Sequence, residues 1–132
     1  MRRTFLFLVF LSSLTFLGGC GNSEPKLVEV KGTVTLDGVP LADGFMYFKT
    51  IETGSLERIE IKGGAFNGKA LPGLRRVEII SNVPKKVVID GKTIEVPDNI
   101  IHPSFNIDSK LTAQVVAEGA NTFAFAVKKK KS

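Results

Sequence analysis

Between Leu27 and Val127 apolar and polar residues alternate, turn signals recur about every ten residues, and no window keeps a helical period. Successive side chains of a strand point to opposite faces, so a period of two marks a strand with one dry face. The clearest case comes first. Val28, Val30, Gly32, Val34 and Leu36 share one parity, and Glu29, Lys31, Thr33 and Thr35 share the other. Asp37-Gly38 follows, a strong hairpin signal. Phe45–Phe48 is a bulky strand in which Phe45 and Tyr47 face one way and Met46 and Phe48 the other, so that it is either buried on both sides or exposes one pair to a sugar or protein contact. In Leu56–Ile61, Ile59 and Ile61 are expected inward and Glu57, Arg58, Glu60 and Lys62 outward, with Gly63-Gly64 breaking the strand. Phe66 opens a short strand and Leu71-Pro72-Gly73 turns the chain. Val77 and Ile79 are expected inward between Arg76, Glu78 and Ser81. Val87 with Ile89 and Ile94 with Val96 flank a hairpin at Asp90-Gly91, and Pro97–Asp108 is irregular. The final pair, Leu111–Ala117 and Thr122–Val127, is joined by Glu118–Asn121. Short strands at this spacing, with no room for covering helices, predict an all-β antiparallel sandwich.

The leader has a different grammar. Arg2 and Arg3 precede an apolar run, Thr4–Leu17, and then Leu17-Gly18-Gly19-Cys20. A basic start, a short apolar core and small residues at the cut are the layout of a secretory signal. The run is shorter than the roughly 20 residues that span a bilayer. The segment resembles a bacterial lipobox, with Leu17, Gly18 and Gly19 as the recognition residues. That resemblance implies cleavage after Gly19, a diacylglycerol thioether on Cys20 and acylation of the new N-terminus. Gly21 follows where an Asp-type inner-membrane retention signal would stand, which favours the outer membrane. Cys20 is the sole cysteine, so no intrachain disulfide forms.

The expected divisions are a signal peptide (1–19), an acylated Cys with a small polar tether (20–26), one β domain (27–127) and a basic tail (128–132). The net charge of +5 is an end effect. Arg2 and Arg3 leave with the leader and Lys128–Lys131 sit in the tail, so the body between them is slightly acidic. No basic face interleaved with aromatics points to nucleic acid. The lysine tail would gain roughly 1 kcal/mol per cation at an anionic lipid surface, or contact an anionic wall polymer, or simply fray.

Val30-Lys31-Gly32-Thr33-Val34-Thr35-Leu36-Asp37-Gly38-Val39-Pro40-Leu41 resembles the opening of carboxypeptidase-regulatory-like domains, which read hydrophobic-x-G-x-V, a turn, then G-x-P-L. Gly64-Ala65-Phe66 looks like their G-x-F strand start. Leu71-Pro72-Gly73 followed by Arg76-Val77-Glu78-Ile79 looks like their turn into the next strand. Ile101–Asn106 is similar to a segment of small lipoproteins of this type, and Glu118–Phe125 to their closing G-x-N-x-F-x-F. The resemblance implies a single Greek-key antiparallel β-sandwich of about seven strands, transthyretin-like. Leu74-Arg75 stands where Lys-Tyr is usual, and Lys62-Gly63-Gly64 replaces an acidic turn that could bind calcium.

Catalytic signals are sparse. Gly63–Ala70 reads G-x-x-x-x-G-K-A, without the hydroxyl that a P-loop uses to hold magnesium. Gly91-Lys92-Thr93 lacks the upstream glycine. His102, the one histidine, shares an irregular segment with Asp98 and Asp108, whereas zinc sites combine several His or Cys ligands. Ser104 or Ser109 would need His102 within hydrogen-bond reach and an orienting acid. A self-formed isopeptide between Lys31 and Asn121, helped by Glu78 or Glu95, would need Lys31 on the dry face. A sugar platform would rest on Tyr47 or Phe45, because the chain has no Trp. The expected function is a non-catalytic, membrane-anchored envelope lipoprotein that binds the bilayer through Cys20 and an envelope protein or polymer through its body. The expectation includes no cofactor and no metal. The alternative is a carbohydrate- or peptide-binding module.

Overall fold

The computed structural model describes Gly19, Gly21 and residues 24–132; Leu17, Gly18, Cys20 and the rest of the leader lie outside the described residues. The alternating segments become ten strands, with no α-helix among the described residues. They are β1 (Val28–Leu36), β2 (Val39–Pro40), β3 (Asp43–Lys49), β4 (Leu56–Lys62), β5 (Ala65–Ala70), β6 (Gly73–Ile80), β7 (Asn82–Ile89), β8 (Lys92–Asn99), β9 (Thr112–Val115) and β10 (Thr122–Val127). The main sheet has the order β10-β1-β5-β4-β3-β6-β9 and curls into a half-barrel.

The count of about seven strands is therefore corrected. Asp37-Gly38 turns the chain into a two-residue β2, and Asp90-Gly91 builds a hairpin, β7–β8, that forms its own two-stranded sheet. The last two strands are not a hairpin either. β9 pairs with β6 and β10 with β1, which puts them at opposite edges of the sheet. The β1–β10 pair is parallel, while every other strand pair is antiparallel. Period-two patterns report which face is dry and carry no sign for strand direction, so this pairing was not readable from alternation.

The dry parities meet inside the curl. Val30, Val34, Met46, Phe48, Ile59, Ile61, Phe66, Val77, Ile79, Val115, Phe125 and Val127 are all buried in one cluster. Phe48 of β3 lies 6.5 Å from Phe66 of β5 and 6.2 Å from Phe123 of β10, so the two halves of the sheet touch across the core. The fold-over occurs at β4–β5, which pair only at Ile61–Phe66 and Lys62–Ala65 around the Gly63-Gly64 turn.

Two parity assignments are corrected. Glu57 shares its face with Ile59 and Ile61 and is half-buried, and Ser81 shares the face of Val77 and Ile79 and is buried. Each is turned inward by strand geometry and satisfied there. Ser81 Oγ donates to the Asp43 carbonyl at 2.7 Å, and Glu57 meets Arg75. Arg75, on the inner face of β6, is only 2% exposed. Its guanidinium donates to Glu57 Oε2, to Thr50 Oγ1 and, at 2.8 Å, to the Phe48 carbonyl. Glu57 Oε2 also accepts the Leu71 N–H at 3.5 Å. One cation thus ties β6 to the end of β3, the 50–55 loop and β4.

Candidate interaction surface

The β7–β8 hairpin is the part of the described body that has no core of its own. Neither strand pairs with the main sheet, and an isolated two-stranded ribbon is at best marginally stable in water. Its foot is clamped instead. Asn99 Oδ1 accepts the N–H groups of Ser81 and Ile101, both at 3.1 Å, and the Ile100 N–H reaches the Ser81 carbonyl at 2.9 Å. The tail adds a second clasp. The His102 N–H donates to the Lys128 carbonyl and the Lys130 N–H to the Ile100 carbonyl, both at 2.8 Å. The lysine tail is therefore held beside the foot of the arm through Lys130 rather than frayed from its start.

Lys130 Nζ also donates to Asp98 Oδ1 at 2.5 Å. That hydrogen bond, joined by the charges of Lys130 and Lys85 and opposed by desolvation, holds the Asp98 carboxyl below the ordinary aspartate range. A carboxyl depressed in the folded state binds fewer protons there than when unfolded. Its contribution is complete above the unfolded value of about 4 and is lost as pH falls through the folded value. We expect NMR titration of the Asp98 carboxyl to give a value below that of an ordinary aspartate, and Lys130→Ala to move it upward. An ordinary titration in the unsubstituted protein would count against the clasp.

Cross-strand pairing sorts the arm into two faces, because directly opposed residues share a face. One face carries Val83 opposite Asp98, Lys85 opposite Val96, Val87 opposite Ile94 and Ile89 opposite Lys92. The other carries Asn82, Pro84, Lys86 and Val88 opposite Asn99, Pro97, Glu95 and Thr93. The first face is aliphatic with lysines along it. Val83, Ile89 and Ile94 are exposed, Ile89 by 53%.

The position of the arm follows from the parallel pair. The chain enters β1 at Val28 and leaves it at Leu36, where β10 also ends at Val127. The arm's foot and Lys128–Lys130 are therefore at the end of the sheet away from the tether. At roughly 3.3 Å per residue, the length of β1 separates the two ends by about 30 Å.

The other candidate residues are placed as follows. His102 is exposed and its Nδ1 accepts the Ser104 N–H at 3.2 Å, capping the short 3-10 turn Pro103–Phe105. Ser104 Oγ lies 2.8 Å from the same nitrogen. The pair is within reach for proton transfer, but no third group bonds the far ring nitrogen among the described residues, so the required orienting acid is not assembled. Ser109 Oγ donates to the Val77 carbonyl at 2.5 Å and is buried. Among the described residues no three His, Cys, Asp or Glu groups cluster as metal ligands.

Lys31 and Asn121 line one shallow cleft. The Asn121 amide, however, clamps its own loop, donating to the Val116 and Glu29 carbonyls and accepting the Val116 N–H. Glu78 is engaged by Lys49 and Arg76, and Glu95 sits on the arm, so neither expected acid attends the Lys31–Asn121 pair; the carboxylate residue lining that cleft is Glu29. Phe45 and Tyr47 are the outward, half-buried aromatics, with the Arg58 guanidinium 3.6 Å over the Phe45 ring. Sequence reasoning missed Arg75, Asn99 and the basic character of one arm face. The parity of Arg75 with Val77 and Ile79 was the available signal for the first. The parity of Lys85 with Val87 and Ile89 was the signal for the last. Leu17, Gly18 and Cys20 lie outside the described residues, whereas Gly19 is described and exposed.

No described helix is long and apolar enough to cross a membrane. No family model matches the chain, and neither a curated protein nor a solved structure matches it.

Proposed function

We propose that the protein is a non-catalytic envelope lipoprotein, moored by acyl chains on Cys20, whose body serves as a structural and protein-interaction module. The body is read as a transthyretin-like Greek-key sandwich; the neighbour order β6-β3-β4-β5 favours the Greek-key connection, within one sheet that curls over its own core. The observation that carries the interaction role is the β7–β8 arm. It exposes aliphatic side chains along its length and is braced at its foot by Asn99 and Lys130. A fold gains nothing from holding such a ribbon in water, so the exposed face is read as a contact surface.

The geometry suits a moored protein. The seven residues between Cys20 and β1, 21–27, reach at most about 25 Å. With the tether end of the sheet toward the bilayer, the ~30 Å length of β1 would keep the arm and the lysine tail well beyond the ~8 Å over which salt leaves surface charge effective. Lys128–Lys131 are then read as part of the distal surface. A sugar platform has less support, because Phe45 is covered by Arg58 and Tyr47 is half-buried.

Anchoring is tested at Cys20. Each buried methylene contributes about 0.8 kcal/mol, a single chain binds reversibly, and two or more hold a protein firmly. Cys20→Ser is expected to shift the protein from the membrane pellet to the soluble fraction. Retention of the variant on membranes after a salt wash would mean that acylation is not the anchor.

A further inference from the structure

We infer that the arm face bearing Val83, Val87, Ile89, Ile94 and Val96 docks a protein partner that presents an apolar strip flanked by carboxylates. The inference deepens the interaction role proposed above and rests on it. The arm has two open edges, and its prolines decide between edge and face. The loop Asp90-Gly91 has positive φ at both residues, 51° and 75°, the type I′ geometry of a two-residue hairpin. In such a hairpin the flanking pair, Ile89–Lys92, exchanges both hydrogen bonds, and bonded and non-bonded pairs then alternate down the ladder. Pro84 opposite Pro97 falls on a non-bonded pair. Their missing N–H groups therefore interrupt the two outer edges, at the positions where an added strand would bond. Proline on an edge blunts strand addition. What remains for recognition is a face.

Charge selects the occupant. Lys85, Lys92 and the bridging Lys130 face a single acid, Asp98, which Lys130 pairs and the Lys85 charge also reaches. The uncompensated charge is positive. A second copy would set the lysines of this face against their own kind, which disfavours self-association. A body that stands with its tether end toward the bilayer, as in the reading above, presents the arm on the opposite side. An acidic-rimmed protein surface satisfies both constraints. The apolar strip also continues past the foot of the arm. Val83 lines a groove of about 290 Å³ with Leu36, Val39, Pro40 and Ile100. The arm face measures only about 26 Å by 10 Å from strand dimensions, well under the ~800 Å² that each side of a standard interface buries. The partner is therefore expected to extend into that groove.

The test uses the full-length chain in intact cells, with a photo-crosslinking amino acid at Ile94 on the inferred face or at Thr93 on the opposite one. The expected result is a protein adduct from position 94 and not from 93. Its yield should fall about tenfold or more in Lys85→Glu/Lys92→Glu. It should return when the carboxylates mapped beside the crosslink on the partner are changed to lysine. Both lysines are exposed, and an unchanged circular dichroism spectrum confirms that the charge-reversed protein is folded. Equal yields from both positions, indifference to charge reversal, an adduct of two copies of the chain, a lipid adduct or no adduct each overturn the inference. Membrane retention is scored separately. Anchored protein without an adduct overturns the docking face alone, and a charge-sensitive adduct from unanchored protein overturns the mooring alone.

Discussion

Gly32→Ala is expected to leave the chain without a cooperative unfolding transition. A Cβ at this position would lie 1.7 Å from the Phe123 carbonyl oxygen and 2.9 Å from the Phe66 ring. The obstacle is neighbouring backbone, so no rotamer change relieves it. β1 and β10 would have to part, which breaks the parallel pairing from Lys31–Thr122 to Leu36–Val127 and uncovers Val34, Phe125 and Val127. Losses above about 4–5 kcal/mol arise from overpacking of this kind, and small domains have only roughly 5–15 kcal/mol in total. The contrast is Gly63, which has positive φ and open space around its Cβ position. Gly63→Asn should cost at most about 1 kcal/mol, because asparagine tolerates the left-handed region. Urea unfolding of the two variants checks the pair. A Gly32→Ala midpoint equal to that of the unsubstituted protein would mean that the close approach of β1 to β10 is wrong. The glycine of the hydrophobic-x-G-x-V motif thus has a physical basis here: it lets two strand backbones approach.

The second large effect is at the buried ion pair. Glu57→Ala should destabilise the protein by about 3–5 kcal/mol, because it leaves the Arg75 guanidinium buried with its charge unpaired. Arg75→Met, which removes the charge and keeps most of the volume, should cost far less. Combined with Arg75→Met, Glu57→Ala should have only a fraction of its effect alone. Thermal or urea melts of the two single variants and the double variant measure the coupling. Additive losses would show that the two side chains do not act as a pair. The physical content is that burial makes a lone charge costly, while a matched pair with hydrogen bonds to Thr50 and the Phe48 carbonyl roughly offsets its own desolvation. The pair fixes the 50–55 loop against β6 and closes the tether-side end of the half-barrel.

Strand positions and most inward faces were legible along the chain because alternation is local. Val30 and Val34, Ile59 and Ile61, and Phe125 and Val127 all bury as their parity predicts. Polar residues of the same parity were misjudged. Chemistry alone points Glu57 and Ser81 to water, yet strand geometry turns every second side chain the same way. Once inward, each is kept there by a partner distant in sequence: Arg75 for Glu57 and the Asp43 carbonyl for Ser81. Nothing local to either residue names that partner.

The sequence by itself determined an all-β body, its turns at Asp37-Gly38, Gly63-Gly64 and Asp90-Gly91, and the parity that separates an aliphatic from a mixed face on the arm. These depend on neighbours one to four residues apart. Only the tertiary structure decided that β10 runs parallel beside β1, that β9 and β10 are opposite edges, and that the arm and lysine tail stand at the far end from the tether. Hydrogen-bond ladders between strands about 40 and about 90 residues apart set those relations. Each strand offers the same donors and acceptors to any neighbour, so the choice among neighbours falls to the packing of the whole core.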